Sequence, residues 1–176
     1  NVERSQPGGA PLAVGDLSAP SGGDHASHGS HRTGRDADVL FYLVDAAGRS
    51  VRGSGFYAFD VRGVSQLAAG GTAPSTLSAI AYFDTARNWA FVRALLSDLE
   101  APVQWIFCAA GIKARLLQYA ADYEPDPNLT VRASYVLHQP SSGNPHADHF
   151  HVRIACTARE RGTGCLDAGP VWPWLR

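Results

Sequence analysis

Of the seven histidines in this 176-residue chain, all but His138 lie in two short clusters. His25, His28 and His31 recur at intervals of three and run on towards Asp36 and Asp38. The second cluster is Pro145-His146-Ala147-Asp148-His149-Phe150-His151. Imidazole nitrogens and carboxylate oxygens are both good zinc ligands. His31 and Asp38 supply one of each across a turn containing Gly34, although this pair alone is a weak signal. His149 and His151 alternate about Phe150 in a segment that reads as a strand. Both imidazoles then share one face with Arg153, while Phe150, Val152 and Ile154 face the core.

The chemistry these residues suit is hydrolysis. His31, Asp38 and His151 form a three-ligand set that leaves one zinc position open to water, whose pKa falls from ~15.7 to around 7 on the metal. His149 reads as the base, with a fourth-ligand role as the alternative. A protonated His146 would stabilise the oxyanion or donate to the leaving amine. His25 reads as a solvated loop residue, His28 divides evenly between surface and site, and Asp36 reads as a turn or supporting residue. A closed structural zinc site would want four ligands and favour Cys, yet no Cys neighbours these histidines. No organic cofactor is needed. The chain lacks a Gly-x-Ser-x-Gly elbow, and Cys108 ends an apolar run, Val103–Phe107, unfavourable to a thiolate.

The elements that must position these groups follow from the hydrophobic pattern. Residues 1–24 are rich in Gly, Pro and Ser and read as an irregular arm of a single 176-residue domain. Val39–Val44 reads as one buried strand entered at Asp38, and Gly55–Asp60 as a short aromatic strand; 61–81 reads mostly as loop. Asp84 or Thr85 caps a helix running to about Glu100, with Trp89, Val92, Leu95, Leu96 and Leu99 on one face. Val103–Cys108 reads as a strand and Gly111–Asp122 as a helix. Pro125 and Pro127 stop that helix, and Leu129–Val136 reads as another strand. His149–Cys156 is the last strand. The mixture lacks a regular βαβ rhythm, so the expected class is α+β, a small antiparallel sheet flanked by helices and long loops.

Composition narrows the partners. A formal net charge of −1 without a basic block argues against nucleic acid. No apolar run approaches the ~20 residues of a membrane span, and no signal-peptide pattern opens the chain. Cys156 and Cys165 bracket a short polar segment, and a bridge there would contribute roughly 2–3 kcal/mol in an exported protein. Trp172 and Trp174 read as pins for the terminal segment rather than as sugar platforms.

Several motifs together resemble the penicillin-insensitive murein endopeptidases. They are Gly15-Asp16-Leu17 with Gly22-Gly23, Ser30-His31 through Gly34-Arg35-Asp36-Ala37-Asp38, Phe83-Asp84 with Arg87-Asn88-Trp89, and His146 through Arg153. That family sits in a wider group with lysostaphin-type peptidases, D-Ala-D-Ala metallopeptidases and the hedgehog signalling domain. The resemblance implies zinc on His31, Asp38 and His151, with His149 and His146 as catalytic imidazoles. It implies export to the periplasm and cleavage of the D-Ala–meso-diaminopimelate cross-link of peptidoglycan, independent of penicillin. His28 and Asp84 match positions that support an additional metal in some relatives, but Arg87 stands where a further ligand would be wanted. Two rivals remain: a carboxypeptidase or dipeptidase releasing D-Ala from uncross-linked stems, and a non-catalytic zinc-stabilised wall-binding module. The carboxylates of stem peptides make Arg35, Arg87 and Arg153 candidate clamps.

Overall fold

A strand whose alternate residues are His149, His151 and Arg153 must bury Phe150 and Val152 on its other face. The computed structural model, which describes residues 2–19, 21–25, 28–53, 55–66, 80–167 and 169–175, has this arrangement. The chain is α+β with small sheets, helices and loops. In chain order the elements are α1 (Val2–Ser5), β1 (Val14–Leu17), β2 (Asp36–Leu40), β3 (Leu43–Val44), β4 (Ser50–Val51), β5 (Val64–Gln66) and β6 (Ile80–Phe83). Then come α2 (Thr85–Leu96), β7 (Val103–Phe107), α3 (Ala110–Tyr123), α4 (Pro127–Val136), β8 (Leu137–His138), β9 (His149–Ile154) and α5 (Ala158–Gly162). Among the described residues the strands form a five-stranded sheet, β1-β2-β9-β7-β8, and a four-stranded sheet, β4-β3-β6-β5. Every pairing is antiparallel except β7 with β8.

The run Val39–Val44 is not one strand. It serves the first sheet through Leu40 and the second from Leu43. At the crossover Asn88 of α2 receives the Tyr42 amide at 3.0 Å and donates to the Tyr42 and Asp84 carbonyls, both at 2.9 Å. These bonds satisfy backbone groups that leave one ladder before joining the next. Strand β2 also begins two residues earlier than expected, at Asp36.

Segment 129–136 is helical rather than extended. Pro127 occupies the first turn, where a missing amide costs nothing, and the Asp126 side chain caps it by accepting from Asn128 at 2.9 Å. Leu129, Ala133 and Val136 are buried while Val131 and Tyr135 are exposed, a spacing of four and three instead of two.

Helix α2 stops at Leu96, short of Glu100. Ser97 donates twice to the Arg93 carbonyl, Asp98 turns the chain by accepting from Glu100 and Ala101, and Leu99 is left 91% exposed. Gly55–Asp60 makes no strand; Phe59 is buried and its amide bonds to the Ala147 carbonyl at 2.8 Å. Within 61–81, residues 64–66 and 80–81 are strand, and 67–79 lie outside the described residues. The arm carries two short elements, α1 and β1, where composition points to irregular chain. Arg87 ties the arm down by donating to the carbonyls of Gln6 and Ala10.

The core runs between the sheets and α2, α3 and α4, with Phe41, Phe83, Val92, Ile106, Leu116, Leu137 and Phe150 at its centre. Cys156 and Cys165 are bonded, and Cys108 is a buried free thiol pushed up to about 12 by burial. Trp172 packs on the core and donates to the Gln104 carbonyl at 2.7 Å, with Trp174 stacked beside it.

Candidate metal centre

Register brings the two histidine clusters together. In the β2–β9 ladder Asp38 lies opposite His151 and Asp36 opposite Arg153. The loop before β2 lays His31 over the same face. His31, Asp38 and His151 are all buried. Asp38 Oδ1 lies 3.1 Å from His31 Nε2 and 2.9 Å from His151 Nδ1, and those two nitrogens are 3.2 Å apart. Three ligand atoms thus form a nearly equilateral triangle. Zinc bonds of ~2.0–2.1 Å in a tetrahedron would set such edges at about 3.3 Å.

Hydrogen bonding also fits a cation here. His151 Nε2 donates to Asp36 Oδ1 at 2.9 Å, which leaves the Nδ1 lone pair aimed at the triangle. Arg153 Nε donates to the same Asp36 oxygen at 2.7 Å and holds that carboxylate in place. Asp38 Oδ2 and His31 Nδ1 are buried with no hydrogen-bond partner. Without a cation, protons must hold the cluster together. Burial opposes charge on His151, yet bonds to Asp36 and Asp38 raise its pKa. Burial likewise opposes charge on Asp38, but bonds from His149 and His151 hold it far below the carboxylate range.

His149 flanks the triangle, its Nε2 3.4 Å from Asp38 Oδ1. Its Nδ1 is bonded to Asp148 Oδ1 at 2.7 Å, and the Phe56 ring packs edge-on at 5.1 Å. Burial works against its charge, but the bond to Asp148 and the Asp38 carboxylate beside its Nε2 push its pKa up to about 9. His146 lies with its ring 5.0 Å from that of His149 and 5.5 Å from that of His151. Burial and these two imidazoles push His146 down to about 4. It adopts a left-handed φ of 54°, and its loop is tied to the residue before α3. Its carbonyl accepts from Ala109 at 2.9 Å, and its amide donates to Asn144 at 2.9 Å.

Among the described residues two groups of side chains could hold a metal ion: His28, His31 and Asp38, and His146, His149 and His151, with ligand atoms within 4.8 Å in each. His28 Nε2 is 2.7 Å from Asp16 Oδ2 and 3.6 Å from Asp38 Oδ2, so it borders the triangle. Asp84 instead caps α2 by accepting from Arg87, and among the described residues no metal-holding group includes it. Of the candidate clamps, Arg87 is buried against Tyr42 and the arm, Arg35 pairs with Glu160, and Arg153 stands beside the triangle. The His25 ring lies tilted against those of His28 and His31, at 4.9 and 5.8 Å between centroids.

Reasoning from sequence gave no role to Asp148 or Phe56. An Asp directly before a strand His is a readable signal for Asp148. Phe56 carried none, because loop 55–60 meets His149 only through tertiary packing.

The fold and this cluster define an α+β domain whose His and Asp groups could hold a metal ion. The chain belongs to the penicillin-insensitive murein endopeptidase family, whose model matches residues 2–171. Comparison with curated proteins and with solved structures returns no significant match. Membership implies a peptidase acting on murein. No helix among the described residues is long and apolar enough to cross a membrane.

Proposed function

We propose that the chain is an exported, single-domain zinc endopeptidase that hydrolyses the D-Ala–meso-diaminopimelate cross-link of peptidoglycan. The observation that carries this reading is the near-equilateral triangle of His31, Asp38 and His151, with an Asp148-oriented imidazole at its edge. The three triangle residues would hold the zinc. When bound, the ion would supply Lewis-acid polarisation and acidify water, and its charge would offset that of Asp38 and lower the pKa of His149.

The chain's own groups divide the remaining work. Asp148 accepts the Nδ1 proton of His149, so the Nε2 lone pair points into the site as a general base towards water. His146, on its pinned loop, faces both imidazoles and is the group to stabilise the oxyanion or to protonate the leaving amine. In the metal-free chain the two pKa values run opposite to these roles, His149 high and His146 low. The roles therefore require a cation near Asp38 and a proton gained by His146 as charge develops.

Digestion of purified muropeptide dimers, followed by mass spectrometry, tests the reading. Chelator-sensitive conversion of dimers to monomers is expected. Loss of a terminal D-Ala from monomers with intact dimers would favour carboxypeptidase or dipeptidase action. No change with zinc bound would favour a wall-binding module.

A further inference from the structure

Gly15 lies on β1, the edge strand beside the metal-bearing strand β2. A Cβ there would fall 2.7 Å from Phe56 Cζ, 3.2 Å from Leu40 Cδ1 and 3.4 Å from Asp38 Cβ. The first of these distances is shorter than carbon atoms tolerate, so the Phe56 ring takes space that only glycine leaves open. Asp38 and Leu40 alternate on β2 and share the face that carries the triangle. Phe56 therefore covers the β1 side of that face, with its ring near perpendicular to that of His149 and 5.1 Å from it. Its loop is anchored by Phe59, which is buried and bonds its amide to the Ala147 carbonyl at 2.8 Å. Phe56 itself stays 45% exposed, an apolar surface held open beside the proposed base.

The sheet order β1-β2-β9-β7 sets Phe56 and His146 on opposite flanks of His149. The His146 ring lies 5.9 Å from that of Phe107 on β7, and its carbonyl accepts from Ala109, just past the end of β7. Phe56 lies on the other flank, over Gly15 and Leu40. With His146 serving the leaving amine, the amine side of a bound peptide runs towards β7 and the acyl side towards β1.

We propose that Phe56 is a specificity-determining residue. With Leu40 and the bare backbone of Gly15, it receives the side chain of the residue that supplies the scissile carbonyl and limits that side chain to a small apolar group. The inference rests on the peptidase reading above. In the proposed cross-link that residue is D-Ala, whose side chain is one methyl group. A methyl gains by leaving water against an aromatic ring. A branched side chain would have to displace the ring, whose loop is tied down through Phe59.

The test compares muropeptide dimers that differ only on the acyl side of the scissile amide, with D-Ala in one and D-Val in the other. The zinc-loaded protein should favour D-Ala in kcat/KM by about ten- to two-hundredfold, the scale on which an apolar pocket resolves a methylene. Phe56→Ala should shrink that ratio to within about threefold, because the wall that excludes the branched chain is gone. Equal rates on the two dimers in the wild type overturn the size limit, and a ratio unchanged in Phe56→Ala overturns the role of Phe56. Calorimetric titration of the zinc-loaded protein with uncross-linked stem peptides ending in D-Ala or D-Val reads the same preference independently of catalysis. Tighter binding of the D-Ala peptide by wild type but not by Phe56→Ala is expected, and equal affinities in the wild type overturn the proposal. Failure to cleave either dimer, with the D-Ala peptide still preferred in binding, would sink the peptidase reading and leave the subsite standing.

Discussion

Replacing Asp148 with Asn should disable the proposed base without emptying the metal site. The 2.7 Å bond to Asp148 fixes the Nδ1 proton of His149 and so leaves the lone pair on Nε2, which faces Asp38 from 3.4 Å. An Asn amide donates as readily as it accepts, so it can bind the other tautomer and place the proton on Nε2, where the base is needed. Loss of the carboxylate also removes one of the two carboxylate neighbours that outweigh burial in raising the His149 pKa to about 9. Burial remains, so the pKa should fall towards its ordinary value or below. A positioned general base typically contributes about 10²–10⁴ in rate, so kcat on muropeptide dimers should drop by about that factor. Asp148→Ala, which removes the anchor without imposing the wrong tautomer, should lose less. Zinc content, measured by atomic absorption, should stay at one ion per chain in both. If Asp148→Asn keeps kcat within about twofold with zinc bound, His149 is not a base oriented in this way.

Other perturbations probe the support around the site. Asp36→Ala should weaken zinc affinity about ten- to a hundredfold, because the carboxylate that orients His151 is lost; unchanged affinity by competition with a chromophoric chelator would refute that role. Asn88→Ala should destabilise the fold by about 2–4 kcal/mol by stranding the Tyr42 amide and carbonyl at the sheet crossover; a change below about 0.5 kcal/mol in urea denaturation would show that water replaces the amide. In the metal-free protein, His149 favours the folded state fully below pH 6.5 and loses that effect as pH rises through about 9. His146, depressed to about 4, withdraws stability as pH falls from 6.5 towards that value. The melting temperature of the metal-free protein should therefore peak near pH 6.5; a steady rise up to pH 9 would contradict the assigned environments.

The candidate site was legible where local rules reach. A period of two about Phe150 puts His149, His151 and Arg153 on one face, and the β2–β9 register brings Asp38 opposite His151. The α3 boundaries follow the apolar spacing of Ile112, Leu116 and Ala120. Local rules failed where tertiary partners decide. Leu129–Val136 contains both an alternating and a helical pattern, and burial of Ala133 against the core selects the helix. Val39–Val44 has the composition of one strand, and only Asn88, forty-six positions from Tyr42, marks where it changes sheets. Asp36 shows the same limit: its partners His151 and Arg153 lie more than a hundred residues away, so only supporting character could be read in advance.

Zinc content and hydrolysis measured together on His149→Ala test the central claim most directly. The account predicts one zinc per chain, held by His31, Asp38 and His151, with dimer cleavage lost. Loss of the zinc would make His149 a ligand and contradict the division of roles between the triangle and its neighbouring base.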